Sequence, residues 1–198
     1  MLVIVCPGQG AQSPGFFLPW LELPDFRGQI EQMQSATGIE LIKHGTESDA
    51  DTIRDTAIAQ PLIVAASIAS ANALLNGRNA SQAEVFGVAG HSVGEIAAAS
   101  IAGVFDATTA IKFVQKRGNE MAAAAAIEPT SMAAIVGGEQ EAVETALREL
   151  DLEPANYNGG GQIVAAGSAA GIEALKANAP AGSRVIPLQV AGAFHTRY

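Results

Sequence analysis

Gly90-His91-Ser92-Val93-Gly94 is a G-x-S-x-G pattern, and the residues around it say what such a pattern could do. Val85 to Ala89 reads as a buried strand and the small-residue run Glu95 to Val104 as a helix, so the motif falls on a strand-to-helix turn. A turn of that kind lifts a serine hydroxyl above a sheet edge, and its glycines allow the strained backbone. The helix that begins at Val93 adds N–H groups and a positive dipole end where an oxyanion would develop. Ser92 is therefore the candidate nucleophile, for acyl chemistry.

A serine nucleophile needs a base, and the chain offers three histidines. His91 adjoins the nucleophile, so its side chain should point away from the hydroxyl; a buried, hydrogen-bonded support role is at least as good a reading as catalysis. His44, in Ile42-Lys43-His44-Gly45, reads as a surface-loop residue. His195, in Gly192-Ala193-Phe194-His195-Thr196, follows the last predicted strand; an ordinary loop histidine is an equal reading of its position. Asp151 satisfies the Ser, Asp, His order of hydrolase triads, but it ends an amphipathic helix, where a solvated carboxylate is expected. A Ser-His dyad is preferred to a triad.

The elements that must position these residues follow from the hydrophobic pattern. Leu2 to Cys6 is an apolar, β-branched run closed by Pro7-Gly8, a strand that enters the loop Pro7-Gly8-Gln9-Gly10-Ala11-Gln12. Leu21 to about Ile42 is loosely helical with breaks. Ile58 to Leu75 is apolar on nearly every face, a buried helix beginning near Gln60-Pro61. Ala107 to about Ala126 continues as a helix carrying Lys112, Lys116 and Arg117.

The pattern then changes. Met132 to Val136 predicts a strand, Glu139 to Leu150 an amphipathic helix, Pro154 to Asn158 and Ile163 to Ala166 two strands around Gly159-Gly160-Gly161, Gly171 to Ala177 a helix, and Arg184 to Val190 a strand. The order βαββαβ is that of a ferredoxin-like unit. The expected fold is α/β: a parallel-sheet, hydrolase-like core with an inserted ferredoxin-like small domain. The divisions are a large domain over residues 1–127, the small domain over 128–191, and a return to the large domain over 192–198.

Composition limits the partners. Twenty Asp and Glu against 11 Lys and Arg leave a net charge of −9, which disfavours nucleic acid. Hydrophobic residues at 48% and charged ones at 16% can fill a core, unlike a disordered chain. No run approaches the ~20 apolar residues of a spanning helix, and no secretory signal opens the chain. The single Cys6, in an apolar strand, reads as a buried thiol and fits a reducing cytoplasm.

Four separated segments, Pro7-Gly8-Gln9-Gly10-Ala11-Gln12, Gly90-His91-Ser92-Val93-Gly94-Glu95, Gln115-Lys116-Arg117-Gly118 and Gly192-Ala193-Phe194-His195-Thr196, resemble in order and spacing the malonyl-CoA:acyl carrier protein transacylases of fatty-acid and polyketide synthesis. The resemblance covers the whole chain. It implies Ser92 as acyl acceptor, His195 as base, Gln9 and the backbone N–H of Val93 as oxyanion hole, and Arg117 as the grip on the malonyl carboxylate. The competing, lesser reading of Arg117 is an arginine on a solvated helix face beside Lys116. It implies lesser substrate-site roles for Asn158, His91 and Phe194, the ring of Phe194 limiting room for methylmalonyl. It further implies malonyl-CoA as substrate, the phosphopantetheine thiol of an acyl carrier protein as acceptor, and neither metal nor bound cofactor. The protein is expected to be a cytoplasmic monomer without a nucleic-acid or membrane partner.

A serine esterase or thioesterase sharing the turn, and a non-catalytic carrier-binding domain, are the competing readings. Acyl carrier proteins are acidic, so docking requires a local basic patch, for which Lys112, Lys116, Arg184 and Arg197 are candidates. Members of the family continue past the histidine motif, whereas this chain ends at Tyr198; a piece of a longer protein is expected.

Overall fold

The computed structural model describes residues 1–78 and 80–198. Two compact units divide the chain, Met1–Glu120 and Met121–Tyr198.

In the first unit, strand β1 (Val3–Cys6) and strand β2 (Gly87–Gly90) pair in parallel, with Val3 opposite Gly87 and Cys6 opposite Gly90. Between them run helices α1 (Pro24–Thr37), α2 (Leu41–Thr46), a 3₁₀ turn at Thr52–Arg54, and α3 (Thr56–Leu74). Helices α4 (Gly94–Ile101) and α5 (Ala107–Ala125) follow β2. The predicted second strand loses its first two residues, because the Val85 amide turns back to the Ala80 carbonyl. His44 lies on α2 rather than on a loop, half-buried, with Nδ1 3.0 Å from Ser48 Oγ.

Helix α3 begins at Thr56, one turn before Gln60-Pro61. Asp55 explains the shift: its carboxylate accepts the Ala57 N–H at 2.8 Å and caps the helix. Pro61 therefore sits inside the helix, where its missing N–H leaves the Ala57 carbonyl without an i+4 donor. By length and composition α3 could cross a membrane, with a mean hydropathy of 1.5 over 18 residues, contrary to expectation. Its apolar side chains are instead spent inside the unit: Leu62, Ile63, Val64, Ala65 and Ile68 are buried with Phe26 and Ile30 of α1 and Val93, Ile96 and Ala97 around α4.

In the second unit the order is β3 (Thr130–Gly137), α6 (Gln140–Glu149), β4 (Glu153–Gly159), β5 (Gln162–Ser168), α7 (Ala169–Ala177) and β6 (Ser183–Pro187). The four strands form one antiparallel sheet in the order β4-β5-β3-β6. Strand periodicity splits its side chains between two faces. Ala133, Ile135, Ile163 and Ala165 pack with Val143 and Leu147 of α6 and Ile172 and Leu175 of α7. Met132, Val164 and Ala166 face the other way and pack with Ala193, Phe194 and Tyr198. Strand β6 ends at Pro187, three residues before the predicted Val190, although the Leu188 N–H still bonds the Met132 carbonyl at 2.9 Å. Residues 192–198 cluster with this unit.

Candidate active site

Ser92 lies between the end of β2 and the start of α4, with φ 54°, a left-handed conformation that costs a non-glycine residue about 1–2 kcal/mol. Packing holds it there. A Cβ on Gly90 would lie 2.2 Å from the Gly94 carbonyl carbon, and one on Gly94 would lie 2.3 Å from the Cys6 carbonyl oxygen. The helix thus starts hard against both strands, which only glycine permits. The amides of Gly94, Glu95 and Ile96 bond the carbonyls of His91, Ser92 and Val93 at 3.0–3.1 Å, closing the first turn tightly behind the serine.

His91 is corrected from buried to exposed. Its backbone does the supporting: its N–H bonds the Cys6 carbonyl at 3.0 Å and its carbonyl accepts Gly94. The ring stands over Gly8; a Cβ at Gly8 would be 2.6 Å from His91 Nδ1.

Arg117, on α5, is half-buried, while its neighbours Lys112 and Lys116 are exposed. Its Nη2 is 3.4 Å from Ser92 Oγ and its Nη1 donates to Gln60 Oε1 at 2.6 Å. Burial pulls its pKa down from the ordinary arginine value, and the charge of Glu95 works against that shift. Arginine remains a cation under any such change. A solvated helix-face reading of Arg117 does not describe this geometry.

Gln60, expected only to open α3, is a site residue that the sequence does not reveal. Its side chain, with 1% exposure, and Thr56, also at 1%, are the buried polar residues among those described. Gln60 Nε2 donates to Gln9 Oε1 at 3.3 Å, and Gln9 Nε2 reaches Thr56 Oγ1 at 3.3 Å and the Arg54 carbonyl at 3.5 Å. Gln12 ties the same loop down, from Nε2 to the Ile53 carbonyl at 3.0 Å and from Oε1 to the Gly10 amide at 2.9 Å. The available signal was a lone Gln on a helix without a polar face, where a buried amide must find partners.

His195 belongs to the second unit and is exposed, with φ 63°. Its segment is fastened on both sides: the Ala193 N–H donates to Thr130 Oγ1 at 3.0 Å, and Thr196 Oγ1 donates to the Ala193 carbonyl at 2.6 Å. Arg197 pairs with Asp151 at 2.5 Å and Glu153 at 3.3 Å, and Asp151 is exposed just past the end of α6, the solvated helix-end carboxylate that was expected. Phe194 is half-buried on the Met132 face of the sheet. Asn158 is exposed on β4, its Nδ2 on Gln162 Oε1 at 2.8 Å.

A strained serine at a helix start, beside a half-buried guanidinium, suits acyl-group chemistry on a substrate with a terminal anion. The chain belongs to the acyl transferase domain family, whose profile matches residues 3–198. A malonyl CoA-acyl carrier protein transacylase of Mycobacterium tuberculosis is 47% identical over 198 residues, all of this chain, which spans 65% of that relative's length. The crystal structure of MCAT from the same organism superposes with a TM-score of 0.91 at 47% identity, over 99% of this chain and 65% of that one. A malonyl-transacylase solved in complex with a type II PKS acyl-carrier protein superposes with a TM-score of 0.85 at 29% identity, over 97% of this chain and 63% of that one.

Proposed function

We propose that the protein transfers a malonyl group from coenzyme A to the phosphopantetheine thiol of an acyl carrier protein, through an acyl-serine at Ser92. The observation that carries the reading is the Arg117 guanidinium at 3.4 Å from Ser92 Oγ, which gives the free carboxylate of a malonyl thioester a partner beside the nucleophile. The relatives named above, transacylases of the same acyl group, support it.

In this mechanism Ser92 Oγ attacks the thioester carbonyl and its proton passes to His195. The backbone N–H of Val93 and of Gln9 hold the oxyanion; for Gln9 the donor is the main chain, because its side-chain Nε2 is engaged by Thr56 and Arg54. The C–S bond breaks and His195 protonates the departing thiolate. The carrier thiol then attacks the acyl-serine, giving its proton to His195, which returns it to Ser92 Oγ as the acyl group leaves. Phe194 limits the acyl pocket, and His91 supports the turn through its backbone. Asn158 contributes on the substrate side, outside this proton relay.

Residues 128–191 are read as a ferredoxin-like insertion in a hydrolase-like core of residues 1–127, which the β4-β5-β3-β6 order supports; the expected return of 192–198 to that core has no such support, since these residues cluster with the second unit. Lys112 and Lys116, exposed one turn apart on α5, are the assigned contacts for an acidic carrier, with Arg184; Arg197 is committed to Asp151 and Glu153. The acidic composition supports a protein without nucleic-acid partners, the packing of α3 one without a membrane, and the single buried thiol a reducing cytoplasm. A monomer without a bound cofactor completes the reading.

The test is incubation with malonyl-CoA followed by intact and peptide mass spectrometry, then chase with phosphopantetheinylated carrier or with water. The expected result is malonyl on Ser92 that moves to the carrier faster than it hydrolyses. A label that persists in Ser92→Ala, or that leaves mainly to water, rejects it.

A further inference from the structure

We propose that Gln60 is a positioning residue that sets the preference for an acyl group bearing a carboxylate, acting through Arg117; this rests on the reading above.

The argument begins with donors and acceptors. A guanidinium can only donate, so Gln60 must turn its carbonyl oxygen to Arg117 Nη1, 2.6 Å away. Its NH2 then faces Gln9 Oε1 at 3.3 Å, which in turn aims Gln9 Nε2 at Thr56 and Arg54. Each amide orientation follows from the one before it, beginning at the cation. At 1% exposure Gln60 cannot exchange these partners for bulk water.

The consequence is directional. One edge of a planar guanidinium is clamped from below by Gln60, and the other, Nη2, is presented at Ser92. An arginine on a flexible stem otherwise loses side-chain entropy when it meets a carboxylate; here that ordering is done in advance. The clamp is also uncharged. A glutamine holds the guanidinium without neutralising it, and Glu95 is already the carboxylate whose charge acts on Arg117. A second carboxylate, at position 60, would satisfy the cation internally and leave little attraction for the substrate's own anion.

Two variants test this. Gln60→Met retains length and packing but removes the acceptor, and Gln60→Glu retains the acceptor but adds a charge. Both are to be compared with the unchanged protein for Ser92 acylation by malonyl-CoA and by acetyl-CoA, with thermal unfolding recorded for each. The expected result is a malonyl-to-acetyl ratio that falls roughly tenfold for Gln60→Met and further for Gln60→Glu, expressed mainly in KM, with acetyl transfer retained. Equal loss on both substrates, or an unchanged ratio in both variants, overturns the proposal.

A readout independent of acyl transfer separates this proposal from the activity itself. Phenylglyoxal modification of Arg117, followed by peptide mass spectrometry, should be several-fold faster in Gln60→Met than in the parent. An unchanged rate overturns the clamp even if the protein proves to be a malonyl transferase. A faster rate in a protein that never acylates Ser92 retains the clamp and rejects the activity.

Discussion

Arg117 Nη2 lies 3.4 Å from Ser92 Oγ, so the cation and the candidate nucleophile share one site, although 25 residues and two helix starts separate them in sequence. A diacid thioester fits such a pair, with its carboxylate on the guanidinium and its carbonyl at the hydroxyl. Arg117→Ala should therefore lower malonyl transfer by roughly 30- to 100-fold relative to acetyl transfer, the value of a charge-assisted pair of about 2–3 kcal/mol. Parallel kcat/KM measurements with the two thioesters decide it; equal losses would remove the selectivity role.

The left-handed backbone at Ser92 makes a second prediction. Ser92→Gly relieves the strain and should raise stability by about 1 kcal/mol over Ser92→Ala, while both abolish acylation. Denaturant unfolding of the two variants is the measurement, and equal midpoints would mean that the turn stores no such strain.

Gly94→Ala places a methyl 2.3 Å from the Cys6 carbonyl oxygen, in backbone that cannot yield. The expected cost is about 3 kcal/mol or more, seen as a Tm lower by roughly 10 °C or as insoluble protein. Unaltered melting followed by circular dichroism would contradict the close packing of α4 on β1.

Burial pushes the Cys6 thiol up from 9.0 to about 11. At pH 7.5 a disulfide reagent should label it only after unfolding. The folded state keeps its proton where the unfolded chain releases it, so stability is fully present below pH 9 and declines by up to about 3 kcal/mol as pH rises from 9 toward 11. Labelling of native protein at the rate of a free thiol would show that the site is open.

Thr130→Val removes the acceptor of the buried Ala193 N–H two residues before His195. On the proposed role of His195, kcat should fall roughly tenfold, with KM for malonyl-CoA unchanged, and Thr130→Ser should restore it. If serine and valine behave alike, the hydroxyl plays no part in placing the histidine.

Much of the first unit was legible because its signals are local. The turn at Ser92 needed only a β-branched run, two glycines and a small-residue helix, all within about 20 residues. Helix α3 was legible as buried, but its start was not, since proline at position 61 suggests a first turn while the Asp55 cap sets the start at Thr56. Gln60 and Thr130 were invisible for a different reason: their value lies in partners 57 and 63 residues away, which no spacing rule encodes.

The placement of Gln60 on a core helix, one residue removed from the substrate, bears on any attempt to redirect the acyl preference of this protein. A mutagenesis library restricted to pocket-lining positions would omit it. Such a library would vary the guanidinium while leaving in place the amide that aims it, and variants accepting neutral acyl chains would then emerge more readily from paired changes at positions 60 and 117 than from either alone.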